Sequence, residues 1–153
     1  MVHRSFSPRR PPLLSEAVEL SWVRLMRSQR RIFESIERDL SVAGCPPLAW
    51  YDVMLELDRA ENGRLRPMEI EKRTLFAQPN LSRMIGRLER EGLVRREAFS
   101  EDARGHWVVI TEKGRLERAA MWEVYGAAIQ KHLGAKLTED QAEQLAVLLG
   151  MLA

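Results

Sequence analysis

The run from Pro79 to Gly114, "PNLSRMIGRLEREGLVRREAFSEDARGHWVVITEKG", constrains the fold more than any other part of this chain. In its first segment Leu81, Ile85 and Leu88 fall at i, i+4 and i+7 and make the dry stripe of a helix that Pro79 can open. Asn80, Ser82, Arg83, Arg87 and Arg90 fall largely off that stripe. Two runs of strand-forming residues follow, "LVRREAF" and "HWVVIT", joined by the polar "SEDARG". This is the pattern of an antiparallel hairpin with a charged tip. Thr111 then offers an N-cap to a further helix. A chain that obeys these signals hangs a short hairpin between two helices, the first of which keeps a basic face in water.

The flanking sequence supplies the rest of the frame. Ser15 caps a long first helix with Glu16 and Glu19 in its opening turn, where negative charge meets the positive end of the helix dipole. Val18, Trp22, Leu25, Ile32, Phe33, Ile36 and Leu40 recur along it at helical spacing, with an interruption at Gln29, until Gly44 stops it. This stripe is too long for one small domain to bury, so part of it is expected to pack against a partner. A second, well-buried helix is read from Pro47 to Ala60, then a short extended piece at Leu65 and Arg66, then a third helix opening with Pro67. After the hairpin the fifth helix runs to about Leu133. Thr138 and Gln141 make a capping box for the sixth, whose apolar stripe is Ala142, Leu145, Leu149 and Leu152. The expected fold is mainly α with a small β-hairpin.

Composition narrows the function classes. At 153 residues the chain is one domain's worth or little more, and its 45% hydrophobic content can build a core. No apolar run approaches the roughly 20 residues that span a bilayer. The opening "MVHRSFSPRRPP" lacks the apolar centre of a secretory signal, so a cytoplasmic location without membrane contact is expected. Residues 1–14, with Arg4, Arg9 and Arg10 among prolines, read as a flexible basic arm. Cys45 is the single cysteine, and His3, His106 and His132 are scattered, so no metal site and no cofactor are expected. There is no glycine-rich phosphate loop, nucleophile elbow or HExxH, and an enzyme is not expected. A net charge of +2 says little about nucleic acid, so the placement of the arginines matters more.

That placement points to double-stranded DNA. Two short helices with a tight break between them, the second basic on its free face and followed by a hairpin, describe a winged helix-turn-helix. The fourth helix would enter the major groove, where Gln78, Asn80, Ser82 and Arg83 near its start suit base edges and Arg87 suits phosphate. Arg104 at the hairpin tip suits the narrow minor groove or the backbone, with Asp102 fixing the tip.

The stretches "QPNLSRMIGRLEREGLVRR" and "SEDARGHWVVITEKG" resemble the recognition helix and wing of the MarR family of bacterial transcriptional regulators. In that family the wing reads Asp, any residue, Arg, then a strand ending in Leu-Thr and a glycine-containing helix start. Asp102, Arg104, Ile110, Thr111 and Gly114 occupy those positions. The resemblance spans roughly Ser15 to Leu152. It implies a homodimer that reads a pseudo-palindromic operator, most often as a repressor. It further implies that residues 15–46 and 112–153 form the dimerisation region and residues 47–111 the DNA-binding region. Many members release DNA on binding a small aromatic or phenolic ligand between these regions. Two departures bear on where the recognition helix starts: Ala77 stands where Ser or Thr often caps it, and Glu71 where a small residue is frequent in the third helix.

Trp22, Met26, Trp50, Tyr51 and Met54 are candidates to line such a cleft, since they lie on the two helices that would border it, and core packing is the competing role for each. Two other readings stand beside the ligand-released repressor. One is a winged-helix module that binds protein and not DNA; the other is a regulator that senses oxidation through Cys45, which would need a thiol pKa lowered by positive charge or a helix start.

Overall fold

The computed structural model describes residues 13–76, 79–99 and 105–153. Helix α1 (Glu16–Val42) begins where Ser15 Oγ accepts the Val18 amide at 3.2 Å. It ends in a Schellman turn, in which Gly44 adopts φ +75° and the amides of Gly44 and Cys45 reach back to the carbonyls of Ser41 and Leu40. Helix α2 (Leu48–Arg59) has proline at its cap position and no side-chain cap of its own. Glu37 of α1 takes that role, accepting the Leu48 amide at 2.8 Å. A 3-10 turn at Glu61–Gly63 leads to strand β1 (Arg64–Leu65) and helix α3 (Pro67–Arg73). Helix α4 (Leu81–Arg90), strands β2 (Val94–Ala98) and β3 (His106–Ile110), helix α5 (Glu112–His132) and helix α6 (Glu139–Gly150) complete the order.

The sheet is antiparallel with order β1-β3-β2. Val94 faces Ile110 and Ala98 faces His106 across the hairpin, while Arg64 and Leu65 pair with Val109 and Val108. The hairpin matches the sequence reading, but a third strand joins it. The extended piece also lies one residue earlier than expected, because Arg66 serves as the N-cap position of α3. Two residues are too few to show the period-2 alternation that marks a strand.

The core sits where α2 meets the sheet and helices α1, α3, α4 and α5. Leu40, Val53, Met54, Leu57, Ile70, Leu88, Val108 and Met121 are all fully buried there. A leucine at such a position contributes about 2–3 kcal/mol relative to an exposed one. The first helix behaves as two halves. Ile36 and Leu40 enter the core, whereas Trp22 is 62% exposed and Val18 is exposed with it. No residue of α6 is buried, and its Leu148 and Met151 are 60% and 72% exposed.

A candidate nucleic-acid interface and an adjoining cleft

Helix α4 divides as its sequence predicts. Ile85 and Leu88 are buried and Leu81 packs on the core, while Asn80, Ser82, Arg83, Arg87 and Arg90 are exposed. Its start differs from expectation. Pro79 lies in the preceding turn, Asn80 takes the cap position, and the first helical bond runs from the Met84 amide to the Asn80 carbonyl at 3.0 Å. The Asn80 side chain makes no capping bond. Gln78, Asp102 and Arg104 lie outside the described residues.

The far end of α4 is tied to the hairpin and to α5 by a compact set of bonds. Gly92, at φ +72°, closes a second Schellman turn, donating to Glu89 O while Leu93 N reaches Leu88 O. Thr111 Oγ1 donates to the Gly92 carbonyl at 2.6 Å and accepts the Gly114 amide at 3.0 Å, so one hydroxyl joins the end of α4 to the start of α5. At Gly114 a Cβ would run into the Leu93 carbonyl and come within 2.9 Å of Ile110 Cγ1, so only glycine permits this close docking. Arg96 on β2 pairs with Glu89 on α4 at 2.7 Å.

A second group stiffens the tip end of the hairpin ladder. Phe99 and Trp107 meet edge to face at 5.1 Å, the Arg66 guanidinium lies 4.8 Å from the Phe99 ring, and that of Arg64 lies 4.7 Å from the Trp107 ring. These contacts bind the hairpin to β1 and to the start of α3.

Between α2, α5 and the segment after α3 lies a cleft of about 490 Å³. One wall is aromatic: Tyr51 stacks on Trp122 at 6.1 Å, and Tyr125 meets both rings edge on. Leu75 and Phe76, just ahead of α4, form part of the lining. Phe76 is pinned twice, by its ring on Phe33 of α1 at 5.1 Å and by its amide, which donates to Asp52 Oδ2 at 3.0 Å.

The expected ligand-lining residues and the residues that line this cleft differ. Of the five candidates only Tyr51 borders it. Met54 is wholly buried in the core and Trp50 packs against that core, while Trp22 and Met26 are exposed on α1. The residues missed include Asp52, Arg118, Trp122 and Tyr125. A signal for them was present, since Arg118, Trp122, Tyr125 and Ile129 share one face of α5 at helical spacing.

Cys45 is half-buried, and its thiol pKa is pushed up by burial and then by the charge of Glu117. A peroxide-reactive thiolate needs a shift in the opposite direction. Among the described residues no cluster of metal-ligating side chains occurs, and no helix is long and apolar enough to cross a membrane.

The sequence profile of the MarR family matches residues 45–105, from the end of α1 to the second strand of the hairpin. Over that region the chain is similar to the MarR family. The chain is 27% identical over 125 residues to the HTH-type transcriptional regulator PrsX of Escherichia coli, an alignment covering 80% of this chain and 73% of that protein. Its fold is similar to that of Sco3205, a MarR family transcriptional regulator from Streptomyces coelicolor solved in complex with DNA. The TM-score there is 0.82 at 24% identity, over 94% of this chain and 89% of the other. The transcriptional repressor CouR, bound to a 23-mer DNA duplex, superposes with a TM-score of 0.75 at 26% identity, covering 94% and 99% of the two chains.

Proposed function

We propose that the chain is a MarR-family transcriptional regulator, a homodimer that binds a pseudo-palindromic operator and represses transcription until a small aromatic or phenolic ligand releases it. The observation that carries the DNA-binding part is the uncovered face of α4, on which Ser82, Arg83 and Arg87 stand exposed above a buried Ile85 and Leu88. In this reading α4 enters the major groove, with Asn80, Ser82 and Arg83 toward base edges and Arg87 on phosphate. The hairpin carries Arg104 to the minor groove or backbone, and Asp102 shapes the tip. A face left open in this way supports DNA as the partner over a protein surface, which would need α4 to be covered or apolar. Sco3205 and CouR, both solved on DNA, support the same reading by their likeness.

Burial supports a division of labour within this reading. Residues 47–111 form the DNA-binding region. Residues 15–46 and 112–153 form the dimerisation region, where the exposed apolar side chains of α1 and α6 meet those of the second subunit. That dimer sets two α4 helices about one turn of DNA apart. The ligand occupies the cleft lined by Tyr51, Trp122 and Tyr125, against the segment that leads into α4.

Single Arg83→Ala and Arg104→Ala variants test the site. Each is expected to weaken operator binding by about 1–3 kcal/mol if it reads a base, or to lower the salt dependence by about one ion if it touches phosphate. Folded variants that bind operator as tightly as the parent would reject the assignment.

A further inference from the structure

The cleft carries a charge pattern that an unspecified aromatic ligand leaves unused. Most of the charges around it are already matched. Arg118 Nε lies 2.8 Å from Asp58, and Arg59 pairs with Glu56 at 3.7 Å. Arg73 is exposed. Asp52 and Arg73 both line the cleft and form no ion pair among the described residues, and of the two only Asp52 is buried, at 5% exposed. One neutral amide, that of Phe76, is the single hydrogen-bond donor to its carboxylate among those residues. A carboxylate buried to this degree is ordinarily met by a cation or by several donors, because desolvation of an unmatched charge costs several kcal/mol.

The next residue along α2 is Tyr51, and with Trp122 and Tyr125 it supplies π surface on the same cleft. Burial, the Tyr51 phenol and then the charge of Asp52 push the pKa of Tyr125 up, so the negative field of Asp52 reaches the aromatic wall. A buried carboxylate with ring faces beside it suits a cation with an attached ring.

We infer that the cleft takes an aromatic ligand bearing a cationic nitrogen, with the ammonium against Asp52 and the ring against Tyr51, Trp122 and Tyr125. The inference rests on the cleft being the effector site of the proposed regulator. It also gives the ligand a route to DNA. Asp52 holds the Phe76 amide, so a cation drawn to that carboxylate competes with the bond that fixes the segment ahead of α4.

The test is a titration of the whole protein with three probes of one shape, 2-phenylethylammonium, phenylacetate and 2-phenylethanol, followed by tryptophan fluorescence because Trp122 borders the cleft. The ammonium is expected to bind about tenfold more tightly than the carboxylate, the scale of one charge contact with its cation–π component. In Asp52→Asn that preference should shrink toward parity. Phenylacetate binding as tightly as the ammonium would overturn the inference while leaving an aromatic-ligand regulator intact. Saturable binding by none of the three at millimolar concentration would overturn both. Since the first comparison uses the parent protein, it decides the matter even if Asp52→Asn folds poorly.

Discussion

Replacing Thr111 by valine removes one hydroxyl and keeps the shape of the side chain, which isolates what that hydroxyl does at the junction of α4, the hairpin and α5. Thr111 Oγ1 caps α5 by accepting the Gly114 amide at 3.0 Å, and loss of such a cap costs about 1 kcal/mol. The same oxygen donates to the Gly92 carbonyl at 2.6 Å, and one net hydrogen bond adds about 1 kcal/mol more. The two together predict a loss of about 2 kcal/mol. For a chain of this size that corresponds to a fall in Tm of about 4–8 °C. Thr111→Ser keeps the oxygen and is expected to lose less than about 1 kcal/mol. The assay is thermal and urea denaturation of parent and both variants at one protein concentration, because a dimer's midpoint depends on concentration. Equal midpoints for the valine and serine variants would refute the reasoning, since the hydroxyl would then carry no stability.

Other expectations follow from separate parts of the molecule. Asp39 on α1 is hydrogen-bonded by His132 at 2.8 Å and by Lys131 at 3.0 Å, and these bonds hold its pKa below the ordinary carboxylate value. Its contribution is therefore complete above the ordinary carboxylate range and is lost as pH falls through the lowered value. Asp39→Asn should flatten the acid side of the stability profile, and an unchanged slope in urea titrations at acid pH would contradict this. In the proposed homodimer, Leu148→Asp together with Met151→Asp removes two apolar side chains from each subunit, four in all at about 1.5 kcal/mol each, and should raise the dimer dissociation constant by about ten-thousandfold. Sedimentation equilibrium reads the change, and an unaltered constant would place the interface elsewhere. With its pKa raised, the Cys45 thiol should leave operator binding insensitive to mild peroxide, with parent and Cys45→Ser giving the same curves in anisotropy.

What the sequence made legible was local. Ser15, Thr111 and Thr138 cap the helices that their positions announce, because a cap depends on residues a turn away. The two faces of α4 were legible for the same reason, as a single helix fixes its own periodicity. The exposed half of α1 was foreseen from length, since the stripe exceeded what one small core can cover. Strand β1 was not legible, because two residues become a strand only through their partners on β3. The start of α4 was misplaced because proline is equally at home in the turn ahead of a helix and in its first position. The cleft was the least legible feature. Aromatic candidates were sought on α1 and α2, yet the cleft's aromatic wall is built where α2 meets α5, far apart in sequence, while Met54 lies in the core.

The central claim is specific DNA binding through α4 and the hairpin, and one titration addresses it most directly. Purified protein is titrated onto the DNA flanking its own gene and onto scrambled DNA of equal length, at two salt concentrations. The account predicts binding to the native fragment tighter by about a thousandfold or more, falling steeply as salt rises and phosphate contacts are screened. Equal, weak binding to both fragments at either salt would contradict it.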